Sequence, residues 1–295
     1  MEQAPRTSAR AGRPRLRLPR WSVVALAVAQ TAAAATGLLL WRSDQAERAD
    51  PGTVEHIHGL GINPADDDLY VAAHDGLYRL TATGAPVRVA GRVQDFMGFA
   101  VIGPDRFLAS GHLGSGDGRS SLGLIESSDA GQTWVTRSLS GRADFHTLAG
   151  SAGSVYGYDS TSRTVMTNND AKAWTSTDLA GVADLAADAT DPRPVLATTG
   201  QGLARSRDGV RSFAAPVAPV LMLLSRTGDG AVIGVTPAGL VQTSRDGGRT
   251  WRRRGIVGGV PLALAAAGST VDIAVSARVL ISTDQGDTFS LRWQA

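Results

Sequence analysis

The sequence predicts an all-β chain, a six-bladed β-propeller behind one N-terminal transmembrane helix, and three observations predict it. An eight-residue pattern recurs at a near-constant period, short β-rich runs fall at fixed places between its copies, and one uncharged apolar run of 21 residues precedes them all. The expected divisions are a basic cytoplasmic tail (1–20), a transmembrane signal anchor (21–41), a linker (42–53) and the propeller (54–295).

The anchor comes first in the chain. Trp21 to Trp41 reads WSVVALAVAQTAAAATGLLLW, long enough at ~1.5 Å per residue to cross a ~30 Å hydrocarbon layer. Arg13, Arg15, Arg17 and Arg20 precede it, and residues of mixed sign follow. Positive charge stays inside, so everything after Trp41 is expected outside the cytoplasm, with Trp21 and Trp41 at the interfaces. A cleaved signal peptide, cut among the small residues Ala33–Ala35, is the alternative and leads to the same compartment.

Composition excludes several functions. The pI near 9.4 invites a nucleic-acid reading, but residues 1–20 hold six Arg against one Glu, more than the whole chain's excess of +2. The rest is net negative, so no nucleic-acid partner is expected. The absence of cysteine removes disulfides, thiolate metal sites and a cysteine nucleophile. With 43% hydrophobic and 19% charged residues the chain can build a sizeable core.

The octets SSDAGQTW, SRDGGRTW and STDQGDTF start at Ser127, Ser244 and Ser282, and eroded copies start at Thr167 (TNNDAKAW) and Ser206 (SRDGVRSF). The intervals are 40, 39, 38 and 38 residues. Asp129, Asp246 and Asp284 suit a turn in which a carboxylate accepts backbone amides, and the glycines tolerate positive φ. Trp134, Trp174, Phe213, Trp251 and Phe289 are expected between neighbouring sheets. Leu69–Ala72, Arg106–Ala109, Ser154–Tyr158, Val195–Thr198, Ala231–Val235 and Val271–Val275 read as second strands. A first blade from His56 to about Arg92 keeps the strands without the octet, which brings the count to six. The last segment, Phe289–Trp293, is expected as an outer strand beside the chain entering blade one.

These octets resemble the Asp-box (BNR) repeat of sialidases, sortilin-type receptors and photosystem-assembly-factor-like propellers, over about residues 54–295. HIHGLGINP from His56 and DFMGF from Asp95 are similar to a bacterial group labelled glycosylhydrolase or exo-sialidase-like. The resemblance implies the fold. For a sialidase it would also imply three arginines, a Tyr–Glu nucleophile pair and an acidic acid/base residue. The early Phe/Tyr-Arg-Ile/Leu-Pro motif is missing, Tyr78-Arg79-Leu80-Thr81 matches it only superficially, and the one tyrosine pair near an acid is Tyr156 and Tyr158 beside Asp159.

All five histidines, His56, His58, His74, His112 and His146, lie in the first three blades. Aligned by blade, His56-Ile57-His58 matches Asp95-Phe96-Met97 and Asp144-Phe145-His146 at the start of the inner strand, and His74 matches His112 at the end of the second. Both positions lie on one face of a propeller, opposite the octet turns. Period-two alternation puts His56 and His58 on one side of their strand. The matching places in later blades, around Ala183, Met222 and Val260, are bland. His56, His58, His74, Met97, His112 and His146 are therefore the candidate metal ligands. Imidazole with thioether suits copper first and zinc next, with Asp95 and Asp144 as oxygen ligands or as partners that orient the rings. The stretch GSGDGRSS from Gly114 is a candidate cover.

The expected function is binding rather than catalysis: a metal, or a small polar or glycan ligand, at this mouth. The alternatives are a glycoside hydrolase using Asp95 and Asp144 as its carboxylate pair, and a scaffold that binds a protein partner. Ordinary polar residues lining a wet channel would leave the same pattern.

Overall fold

The computed structural model describes residues 54, 56–81, 85–90, 94–113, 121–168 and 173–294. The tail, the anchor, the linker and most of the glycine-rich candidate cover (114–120) lie outside the described residues.

Six four-stranded antiparallel sheets follow one another along the chain, each with its strands in sequence order from the inside outward. The blades run Ile57–Arg88, Gln94–Ser138, Phe145–Asp178, Val182–Val217, Leu223–Ile256 and Pro261–Gln294. The runs expected as second strands are second strands. Five differ by one residue at one end, and Arg106–Leu113 runs four residues further and carries His112 near its tip.

The core is divided in six, one apolar cluster per blade interface. The octets explain how each is sealed. Ser127 Oγ accepts the Gly131 amide at 2.8 Å and donates to Asp129 Oδ1 at 2.8 Å. That carboxylate also takes the Thr133 amide at 2.8 Å and the Thr133 hydroxyl at 2.6 Å. Asp208, Asp246 and Asp284 repeat the pattern. With both oxygens engaged by turn donors, these aspartates are structural. The fifth position is left-handed, with φ +84° at Gly131, where an added Cβ would stand 2.3 Å from Leu77 Cδ2 of the preceding blade. The turn thus delivers its aromatic residue against the neighbouring sheet. Trp134, Trp174, Phe213, Trp251 and Phe289 pack at five successive interfaces.

The sixth interface, where blade one lacks an octet, takes Trp293 instead. Closure differs from the expectation. Ser290–Gln294 is an outer strand, but it pairs with Arg278–Ser282 inside blade six. The strand that opens blade one, Ile57–Ile62, is an inner strand packed on Pro261–Ala267. Among the described residues no strand is shared, because every blade takes four consecutive strands. Side chains seal the joint: Arg292 pairs with the buried Asp272 at 2.7 Å and reaches Leu80 O of blade one at 3.5 Å.

Candidate functional site

At the head of the inner strand in every blade but the fifth the ladder slips by one residue. The bulges between Ile57 and Gly59, Phe96 and Gly98, and Phe145 and Thr147 make His58, Met97 and His146 the residues that the ladder register skips. Ala183 and Leu262 take the same place in blades four and six. In blade five Met222 precedes the strand and donates its amide to Val235 O at 2.7 Å. A bulge bends its strand and re-aims the extra side chain. The residues aligned by sequence are therefore the ones the backbone turns out of the pleat.

The structure departs from the sequence expectation at two places. Period-two alternation does not relate His56 to His58: the strand begins at Ile57, His56 has φ +55°, and His58 is itself the bulge. In blade six the equivalent is Leu262, two residues beyond Val260, because the strand starts at Pro261.

The mouth of blades one to three is a chain of alternating imidazoles and carboxylates. His74, just past the second strand of blade one, has Nδ1 3.2 Å from Asp95 Oδ1. Asp95 stands opposite His112 in the ladder of blade two, with Oδ2 3.6 Å from His112 Nδ1. The other nitrogen of His112, Nε2, lies 3.8 Å from Asp144 Oδ2. That same oxygen hydrogen-bonds His146 Nε2 at 2.9 Å and accepts the Ser160 hydroxyl at 3.1 Å. The Asp144 amide in turn donates to Asp159 Oδ1 at 3.0 Å. The sequence places Asp159 only beside Tyr156 and Tyr158 and gives no sign of Ser160, since their contacts with Asp144 come from the end of the next strand and the turn after it, 15 and 16 residues further on.

Within this chain one donor from each of His58, His74 and Asp95 converges, all within 4.8 Å of one another. The His56 ring lies edge-on to the His74 ring, with centroids 6.1 Å apart. Met97, half-buried, takes the bulge between those of His58 and His146 in the ring.

The two carboxylates are tuned in opposite directions. Burial pushes the Asp95 pKa above the usual carboxylate range, against the pull of His74 and His112. Burial also acts to raise Asp144, but the bond from His146, the nearby His112 and the Ser160 hydroxyl outweigh it and hold its pKa down. Each carboxylate keeps one buried oxygen, Asp95 Oδ1 and Asp144 Oδ1, without a hydrogen bond. Leaving a buried acceptor unmet costs about 1–3 kcal/mol. Asp95 Oδ1 and His74 Nδ1 stand 3.2 Å apart without hydrogen-bond geometry. Ligands of a tetrahedral ion with bonds of about 2.0–2.1 Å stand roughly 3.3 Å apart.

Among the described residues the sialidase constellation is not assembled. Arg79 is paired with Asp68 and Asp66, the Tyr156 hydroxyl donates to Pro192 O, and the Tyr158 hydroxyl accepts the Gly181 amide at 3.2 Å.

No family model and no curated protein matches the chain. Among solved structures it is similar to a gluconolactonase from Xanthomonas campestris, with 13% identity, a TM-score of 0.59 and coverage of 81% of this chain and 88% of that one. It is also similar to the GH74 xyloglucanase of the same organism, with 19% identity, a TM-score of 0.53 and coverage of 82% and 38%. A chain of the nidogen/laminin complex gives 13% identity, a TM-score of 0.55 and coverage of 75% and 91%. At these identities the likeness establishes the β-propeller fold, which serves hydrolysis, lactone chemistry and protein binding among these neighbours.

Proposed function

We propose that the protein is a membrane-tethered, extracytoplasmic binding propeller of the sialidase-like Asp-box kind, which takes up a metal ion at its His-bearing mouth. His58, His74 and Asp95 are the ligands. The observation that supports this reading most is Asp95 Oδ1, buried, without a hydrogen bond, and grouped with two imidazoles. Two nitrogens and one oxygen suit zinc or copper(II) and leave coordination positions open for a ligand. Met97 is the thioether that would favour copper in its reduced state. His112, facing the second oxygen of Asp95, orients that carboxylate.

Glycoside hydrolysis is the weaker reading. A glycosidase leaves a gap between its two carboxylates for the glycosidic oxygen or a water. Here an imidazole, His112, stands between Asp95 and Asp144 with one ring nitrogen towards each. The tether rests on residues 21–41; among the described residues no helix is long and apolar enough to cross a membrane.

Elemental analysis and titration calorimetry on the purified full chain test the metal. One equivalent of copper or zinc is expected, lost in the His58→Ala/His74→Ala double variant. Uptake unchanged in that variant, or a wild-type chain that takes up neither ion, refutes the site and leaves the mouth to a polar ligand.

A further inference from the structure

We infer that the half of the mouth face built by blades four to six is a docking surface for the lipid bilayer that carries the anchor, so that the imidazole-bearing half opens at the membrane surface. The inference rests on the tether proposed above and is independent of the metal.

The ladder registers fix which residues share the mouth face. Val217 pairs with Leu203 near the start of the third strand of blade four, and Ile256 pairs with Leu240 at the start of that of blade five. Outer strands therefore end on the face where inner strands begin. On it lie Val217, Val220, Ile256 and Val260, four of the eight large apolar side chains that are exposed among the described residues, Ile256 at 68%. Leu113, beside His112, is a fifth.

What surrounds them is equally distinctive. The turns of blades four to six on this face are 200–201, 217–222, 236–239, 256–260 and 276–278, and they contain a single charged residue, Arg278. Its guanidinium lies 3.4 Å from Gly258 O. The octet turns of the same three blades, on the opposite face, carry at least two charged side chains each, such as Asp284 and Asp287 in blade six and Arg245, Asp246 and Arg249 in blade five. A surface for bulk water on both sides would not separate charge in this way, and large apolar side chains exposed together on one uncharged face mark an interaction site.

The chain itself indicates what covers this surface. Blade one starts on the same face, and only residues 42–53 separate the apolar run 21–41 from Val54. Even fully extended, twelve residues reach at most about 40–43 Å. A tether of that length, joined to the propeller on this face, would present the face to lipid at a high effective concentration. Because the patch carries almost no positive charge, docking should depend on apolar burial and not on anionic headgroups or low salt.

The chain has no cysteine, so single labels can be placed cleanly. Val220→Cys and Ile256→Cys report the proposed surface, and Thr250→Cys, on an exposed octet turn, reports the opposite face. Each full-length variant is placed in phosphatidylcholine nanodiscs and alkylated with a membrane-impermeant maleimide. Its rate is compared with the same cysteine in residues 54–295 free of lipid, a segment that contains the 24 strands and six core clusters of the described residues. Alkylation at positions 220 and 256 is expected to slow by about tenfold or more in the discs, with position 250 unchanged and no dependence on salt. Equal rates at the three positions in disc-bound protein overturn the docking and leave the tether standing. A full chain that does not incorporate into discs overturns both. Protection that appears only in native membranes assigns the surface to a protein partner and likewise overturns the inference.

Discussion

Blades one to three and blades four to six share a backbone plan and differ in what they place on it. The same bulge presents His58, Met97 and His146 in one half but Ala183 and Leu262 in the other. The carboxylates near the bulges differ as sharply. Asp184 of blade four satisfies its oxygens with the Thr147 hydroxyl and the Leu185 and Leu224 amides, each at 2.8 Å, and so ties three inner strands together. Asp95 and Asp144 each keep a buried oxygen without a hydrogen bond. One half uses its acid to build the ring, and the other leaves a carboxylate oxygen of each acid without a hydrogen bond beside its imidazoles. The repeat fixes the backbone of the mouth, and substitution at a few equivalent positions sets which side chains it carries.

What the halves share should respond equally to mutation, and there the largest effect is expected. Trp134→Ala in blade two and Trp251→Ala in blade five remove octet aromatics from equivalent interfaces. Each should cost roughly 3 kcal/mol by denaturant unfolding, read as a fall in midpoint at constant slope. A cost confined to one of them would show that the halves are not mechanically equivalent. Next in size is the change that separates them. His58→Ala/His74→Ala should weaken metal binding by about a hundredfold or more, roughly 2.7 kcal/mol, while Ala183→His/Leu262→His should create no site, since no unsatisfied carboxylate waits beside those bulges. Metal uptake by the grafted half would refute the role given to Asp95.

The fold was legible because its signals are local. The octet names its own turn, and the 38–40-residue period counts blades whatever the ladders do. Even blade one, without an octet, is readable from its strands. The site was legible only as far as alignment reaches: His58, Met97 and His146 were matched to one another, yet that they share a bulge follows from which partner residue is skipped, and only the paired strands define that. His56 was assigned to a strand that starts one residue later. The convergence of His58, His74 and Asp95, and the support of Asp144 by Asp159 and Ser160, depend on distances between segments far apart in sequence.

A smaller effect tests the contrast between the two carboxylates of the mouth. Asp95→Asn removes a buried charge whose pKa is raised by burial, and should stabilise the metal-free protein at neutral pH by on the order of 1 kcal/mol while abolishing uptake. Asp144→Asn removes a charge that is held ionised by its neighbours, and should destabilise by a similar amount. Thermal unfolding of both variants with chelator present decides it; shifts of the same sign would mean that the two acids are not differently tuned.

The smallest effect lies in acid, where octet and mouth carboxylates pull in opposite directions. Hydrogen bonds from the Ser212 and Ser206 hydroxyls hold the Asp208 pKa at about 2, and the equivalent bonds depress Asp246 and Asp284 further. A carboxylate whose folded pKa lies below its unfolded value, about 3.9, contributes stability above that value and loses it as the pH falls towards the folded one. The octet turns should therefore weaken from roughly pH 4 down to 2. Asp95 has the reverse sign: its folded pKa lies above the unfolded value, so protonating it on the way down adds stability before the octets begin to lose theirs. In metal-free protein, Asp246→Asn should make the acid limb of the unfolding curve shallower, and Asp95→Asn should remove the gain on its higher-pH side, each moving the midpoint by about a few tenths of a pH unit. An acid limb that is unchanged in Asp246→Asn would mean that the octet carboxylates fix the turns by shape rather than by charge.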